Sequence, residues 1–395
     1  MEITIRRIKK NLYSKAIFLA VFLLAFHFYL VSYINSNFLA TYVGEDLVGV
    51  FYIISGVINI FLFLSLSQIL KKAGNYKSLI IFTTLEIFAL LGLSFINEIG
   101  LVAILMLMHL VSAPIILFNL DIFVESSIKD ESKTGTIRGN LLSTSSLALI
   151  MAPLLAGNLA SNNDYSQVYL TSSILLIPFL AIIALRFRKF IDPKYHSVTF
   201  KSFLKKINEI NKNKNTRSIF ASRFLLEIFW VWMTIYIPIY LHLYVQLSWP
   251  VVGTILTIAL LPYIILEPLL GKIADTKLGE KEILITGFFI LIISTAIIPF
   301  VNSTSPLIWI GVLLLTRIGA SGVEITTETY FFKHVDGKDA ETISFFRMHR
   351  PLGYVAGVTI AVIALSFISV KFIFLVLASI LAIGIKYAFV IKDTR

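Results

Sequence analysis

Apolar runs long enough to cross a membrane recur twelve times along this chain, and that recurrence leaves few folds open. A hydrocarbon core about 30 Å thick needs about 20 helical residues. The runs fall near 15–40, 47–70, 77–97, 99–128, 138–160 and 166–187, then near 217–246, 249–271, 281–301, 305–333, 341–368 and 371–391. Lipid offers backbone amides no partner, so runs of this length predict helices rather than loops or open sheet edges. Pro114, Pro153, Pro262 and Pro351 lie inside the runs, which membrane helices tolerate. Charged residues make up 14% of the chain, against about a quarter in soluble domains. The fold class expected is an all-α polytopic membrane protein.

Loop charges test the partition independently. Of the 34 Lys and Arg residues, 29 lie in the two termini and alternate loops, while the intervening loops hold only Lys371. Arg223, Arg317, Arg347 and Arg350 fall inside runs. Cytoplasmic loops carry the Lys/Arg excess, so both termini are expected in the cytoplasm of a cell membrane. The net charge of +11 is then a topology signal, and no nucleic acid is expected as a partner. Zero cysteines exclude disulfides, thiolate metal sites and thiol catalysis. The basic start MEITIRRIKKNLYSK precedes an apolar run longer than the roughly 7–15 residues of a signal-peptide core, so it is expected to remain as part of the first span.

The densest basic stretch, Arg186 to Arg217, carries ten Lys/Arg against two acids. Within it Phe200, Phe203, Leu204, Ile207 and Ile210 share one helix face, with Lys201, Lys205 and Lys206 between them. That pattern predicts a basic amphipathic helix on an anionic lipid surface or a solvated charge run. It divides the chain into residues 1–190, an N-terminal six-helix bundle, a linker 191–216, and a C-terminal bundle 217–395. The halves repeat one pattern. Gly74 answers to Gly279, Pro153 to Pro351, and the pair Asp121/Glu125 to Glu324/Glu328 at an offset of 203 residues. Such a repeat predicts a site at the interface of the two copies.

Twelve spans arranged 6+6, a basic central loop and the segment GKIADTKLGEK after span 8 resemble the major facilitator superfamily of secondary transporters. That segment is similar to the superfamily's G-x-x-x-D-(R/K)-x-G-(R/K) loop motif, with one extra residue before Gly279. The first-half copy departs from it, with Ser67 in place of the Gly and Lys71 in place of the Asp. The resemblance implies two six-helix bundles rocking about a central site, with spans 4, 7 and 10 lining the cavity. It also implies that Glu125, Glu328 and Asp275 act as gate residues, the first two like the acids after spans 4 and 10 of sugar porters.

Ionisable groups at membrane depth are costly unless paired or facing water, and seven acids lie there: Glu86, Asp121, Glu125, Glu227, Glu267, Glu324 and Glu328. Asp121 has no basic residue at matching depth in its half, which makes it the first candidate proton carrier, followed by Glu227 and Glu324. Arg347 and Arg350 enter span 11 at the depth of Glu324, so a Glu324–Arg350 gate pair is expected. Arg223 and Glu227 are spaced i,i+4 on span 7, which suits either a cavity role or an intrahelical ion pair. Glu267 is expected at the loop latch, and Glu86, on a span that the resemblance makes peripheral, in a local structural role. His27 and His109 lie mid-span and suit either proton relay or packing. Trp230 and Arg317 complete the substrate-cavity candidates.

No spacing resembles a metal site, and no cofactor motif is present, so the partners expected are protons, a small-molecule substrate and the bilayer, for a monomer. The reading is a proton-coupled transporter of a small solute, leaning to export because APLLAG resembles the span-5 motif of the superfamily's antiporters. A proton-linked importer, a flippase for a lipid-linked substrate and a sensor on the same fold stay open. A membrane-embedded enzyme is not expected, because no catalytic motif lies outside the runs.

Overall fold

The computed structural model describes residues 2–127, 134–192, 212–276, 278–334, 346 and 348–392. Among them every element is helical. The elements are α1 (Glu2–Ser32), α2 (Asn35–Val43), α3 (Glu45–Ala73), α4 (Asn75–Phe95), α5 (Ile99–Ser127), α6 (Thr134–Leu159), α7 (Ser166–Arg186), α8 (Lys214–Ile239), α9 (Trp249–Ala259), α10 (Leu261–Thr276), α11 (Glu280–Ile297), α12 (Pro306–His334), α13 (His349–Leu365) and α14 (Ile373–Val390). Among the described residues ten stretches are long and apolar enough to cross a membrane, and two shorter apolar helices, Ser143–Leu159 and His349–Leu365, lie where spans 5 and 11 are expected. The basic amphipathic helix expected at 200–210 lies outside the described residues.

Two spans are interrupted for reasons visible in their residues. The first breaks at Tyr33–Ile34, between α1 and α2, in the segment SYINSN. Ser32 Oγ donates to Phe28 O at 2.6 Å and Ile34 N to Val31 O at 3.0 Å, and side-chain bonds of this kind compete with the helical ladder. The seventh ends in a π-turn, Tyr240–Tyr244, just after Pro238, whose missing N–H interrupts the regular ladder.

The chain divides into two compact units, Met1–Ile34 with Phe61–Ser197, and Asn35–Ile60 with Val198–Arg395. Residues 35–60 thus precede the basic linker in sequence but pack within the second unit.

Small residues set the closest helix contacts in the second unit. A Cβ on Gly319 of α12 would lie 2.6 Å from Leu291 N and 2.8 Å from Gly287 O of α11, so these two backbones touch. A Cβ on Gly353 of α13 would lie 2.7 Å from Glu227 Cβ on α8, and one on Gly357 would lie 3.4 Å from Ile228 Cα. Gly353 and Gly357 form a G-x-x-x-G step, the spacing that lets membrane helices approach closely. Trp232 Nε1 donates to Gly357 O at 2.6 Å across the same seam. With α12 pressed on α11 and α8 on α13, the polar faces of α8 and α12 are fixed by backbone packing.

The repeat is visible in the backbone. Gly74 (φ 79°) precedes α4 and Gly279 (φ 117°) precedes α11, both in the left-handed region that glycine enters without a Cβ penalty. At the first turn, Asp192 Oδ1 accepts from Asn75 N at 2.8 Å, setting a carboxylate at the N-terminus of α4. At the second, Lys333 Nζ lies 2.7 Å from Oε1 of the buried Glu280.

Candidate functional site

Three helices of the second unit bring charged groups together. On α8, Arg223, Glu227 and Trp230 are spaced i, i+4, i+7, and on α12, Arg317, Glu324 and Glu328 are spaced i, i+7, i+11, so each set shares one face. The start of α8 is held by Asn213, whose Oδ1 accepts from Asn215 N at 3.0 Å and Thr216 N at 3.2 Å, an N-cap that satisfies orphan amides. The third contributor, α13, begins at His349.

Arg223, 2% exposed, is the hub. Its Nη2 donates to Glu324 Oε1 at 3.0 Å and lies 3.4 Å from Glu328 Oε1. Its Nε donates to His349 Nε2 at 3.1 Å. That bond fixes the tautomer, because His349 Nδ1 makes a short hydrogen bond with Phe346 O, a pure acceptor. The proton sits on Nδ1, and Nε2 offers Arg223 its lone pair. Glu227 Oε2 lies 3.6 Å from the same nitrogen, and because that lone pair is engaged the contact is not an ion pair. The other oxygen of Glu324, Oε2, accepts from Trp230 Nε1 at 3.3 Å. Arg350 and Arg223 attract Glu227, while Glu267 on α10 feels Glu324, Arg223 and Glu328.

Arg317 is different. It is 1% exposed, its Nε and Nη1 have no hydrogen-bond partner, and its Cζ lies 4.9 Å from the centroid of the Trp230 ring and 5.2 Å from that of Phe229. Tyr263 extends this aromatic floor, its ring centroid 5.0 Å from that of Trp230.

The first unit holds a second buried cluster. Glu86 on α4 is fully buried, with Oε1 2.5 Å from His109 Nδ1 of α5 and 3.3 Å from His27 Nε2 of α1. His27 Nδ1 lies 2.6 Å from Ser172 Oγ on α7, and Ser172 Oγ lies 3.2 Å from His27 O. If the serine proton goes to that carbonyl, His27 Nδ1 must donate to the serine, and Nε2 then faces the Glu86 carboxylate with a lone pair. Such a contact is attractive only with a proton between them. If the serine instead donates to Nδ1, both imidazoles donate to one carboxylate and the cluster carries a buried negative charge. Among the described residues no group of three or more His, Asp or Glu is arranged to hold a metal ion.

The other candidates fall as follows. Glu324 is paired with Arg223 rather than with Arg350, because Arg350 is exposed in the first turn of α13 while Arg223 is buried facing α12. Arg223 is likewise turned across to α12 and away from an intrahelical pair with Glu227. Asp121 is exposed, so the enclosed, unpartnered carboxylate expected there is not the environment observed. The Glu125 and Asp275 side chains and all of Arg347 lie outside the described residues. Glu86, expected to act locally, lies between His27 and His109. The signal for this was available: all three residues are mid-span in the first half of the chain. His349 was missed because it lies at the start of a span, where position does not predict a partner.

Comparison with known proteins bears on what this arrangement belongs to. Residues 219–395 match the family model described as Major Facilitator Superfamily. The match lies within the second half of the chain, and the likeness to solved structures extends the shared fold over nearly all of it. The nucleoside transporter NupG aligns with 96% of this chain and 100% of its own at 13% identity and a TM-score of 0.72, and its aspartate-to-alanine mutant gives 0.73. A bacterial homologue of the iron transporter ferroportin, in an inward-facing state, aligns with 95% of this chain and 98% of its own, at 13% identity and a TM-score of 0.74. At that identity the likeness speaks to fold alone. No curated protein is matched by sequence.

Proposed function

We propose that this chain is a proton-coupled secondary transporter of a small solute, working by alternating access of two six-helix bundles around a central site. It acts as a monomer in the cell membrane, with both termini in the cytoplasm and no catalytic reaction. The observation that supports coupling is a charge imbalance in the second unit. Four carboxylates, Glu227, Glu267, Glu324 and Glu328, gather around Arg223 and Arg350. Surplus carboxylates at membrane depth are stabilised by taking up protons. Glu324 is the favoured carrier, since both its oxygens are already held by donors on α8 that a change of conformation would release. Glu227 comes next, and Asp121 third because of its exposure. Within Arg223's network, Glu328 and Arg350 act as gate residues, with Arg347, Glu125 and Asp275 assigned to the same gate from the sequence.

Transport in the direction of export remains the preferred sense, on the resemblance of APLLAG to antiporter motifs. The test uses purified protein in liposomes with a pyranine pH reporter inside and an imposed substrate gradient. Wild type should move protons with substrate, whereas Glu324→Gln, which imitates the protonated acid, should exchange substrate with no proton movement. Full proton movement in Glu324→Gln would remove Glu324 from the mechanism.

A further inference from the structure

Arg317 is a buried cation whose cost the protein does not cover. It is the twelfth residue of a membrane-crossing stretch running from Pro306 to Phe331, which places it about 16 Å along the helix axis from Pro306, near mid-depth. An arginine at the centre of a bilayer is costly unless it is paired or faces water. Its neighbours return part of that, because Phe229 and Trp230 lie at cation–π distance. No carboxylate pairs with it among the described residues, and Nε and Nη1 are buried with no acceptor. Arg223, one helix away and equally buried, has two carboxylates and an imidazole. The contrast is within one site. Trp230 separates the two cations, since its indole N–H is spent on Glu324 while its ring floors Arg317. The four carboxylates are therefore gathered at the Arg223 end of α8 and α12, and Arg317 is left with Nε and Nη1 unpartnered among the described residues.

We propose that Arg317 binds the anionic group of the transported solute, and that the solute is a small organic oxyanion, a carboxylate or a phosphate. This rests on the transport reading above and adds the substrate class to it. The chemistry fits the group: a planar guanidinium presents paired donors that match an oxyanion, and a ring beneath it holds that plane in place. Phe229, Trp230 and Tyr263 give an aromatic wall for the solute's apolar part.

Equilibrium binding to the full chain in nanodiscs, read by tryptophan fluorescence and by calorimetry, tests it with four probes of similar size. Benzoate and phenyl phosphate carry the oxyanion, benzyl alcohol is neutral, and benzylammonium is cationic. Wild type should bind one or both anions and neither of the others, the preferred anion telling carboxylate from phosphate. Arg317→Gln should lower that affinity at least tenfold, and Arg317→Lys should fall between them. Arg317→Gln should also unfold no earlier than wild type, because it removes an unpaired buried charge. Binding of neither anion, undiminished anion binding in Arg317→Gln, equal binding of benzylammonium, or marked destabilisation of Arg317→Gln would each overturn the proposal. Liposome flux of the bound probe separates this from the transport reading. Binding that depends on Arg317 without carrier-mediated flux leaves the site and sinks transport, whereas flux undiminished in Arg317→Gln leaves transport and sinks the site.

Discussion

Replacing Glu86 with leucine isolates what the buried cluster of the first unit does. The carboxylate takes one short contact from His109, at 2.5 Å, and one longer contact from His27, at 3.3 Å. A hydrogen bond to a charged group contributes about 1.5–3 kcal/mol, and a buried donor left unsatisfied costs about 1–3 kcal/mol. Interhelical hydrogen bonds measured inside membranes average nearer 0.6 kcal/mol, because the unfolded helices also find partners in the bilayer. Here His109 loses its acceptor and His27 its neighbouring carboxylate, in a site where His27, Glu86 and Ser172 are all 0% exposed. The desolvation side therefore outweighs the membrane discount, and Glu86→Leu should lose about 2–4 kcal/mol. Glu86→Gln keeps an acceptor oxygen and should lose less than about 1 kcal/mol. Unfolding by SDS in mixed micelles, followed by tryptophan fluorescence, measures both. In the double-mutant cycle with His109→Leu the coupling should exceed about 1 kcal/mol. Additivity within about 0.5 kcal/mol would mean that the short contact contributes nothing of its own.

Two further outcomes follow from geometry already described. Gly353→Val sets a branched side chain against the stem of Glu227 and should separate α13 from α8, costing about 1–3 kcal/mol by overpacking and weakening the Arg223–His349 bond; unfolding within about 0.5 kcal/mol of wild type would show the seam to be loose. Single cysteines at Asn162 and Thr304, both exposed, should react with impermeant maleimide from outside the cell while one at Lys189 does not, and labelling at Lys189 from outside would reverse the orientation drawn from loop charge.

The all-helical class and the places of the long apolar helices were legible because lipid demands one signal, a long apolar run. Loop glycines were legible too, since Gly74 and Gly279 stand at equivalent places in the repeat. What escaped the sequence was pairing. Helix faces read from spacing say which residues of one helix share a side, but not which helix that side meets. Spacing thus leaves Arg223 between a cavity role and a pair with its neighbour Glu227, and depth matches Glu324 to Arg350, when the packing of α8 on α13 through Gly353 and Gly357 turns Arg223 to α12. That glycine step lies in RPLGYVAG and was open to reading as a contact surface. Asp121 was ranked by what its sequence neighbourhood lacks, and absence in sequence does not establish enclosure in space.

The paired turns at Gly74 and Gly279 carry a consequence for how the two halves diverged. Each keeps the same unusual backbone, yet the locks around it are unrelated: Asp192, from the far end of its own half, holds the first, and Lys333 against Glu280 secures the second. The two halves share a positive-φ glycine at this turn, and the side chains that fasten it differ. A motif written in side chains is consequently readable in one half only, while the glycine is readable in both. Removing Asp192 would then loosen the first turn and leave the second untouched, since Lys333 and Glu280 hold it by other means.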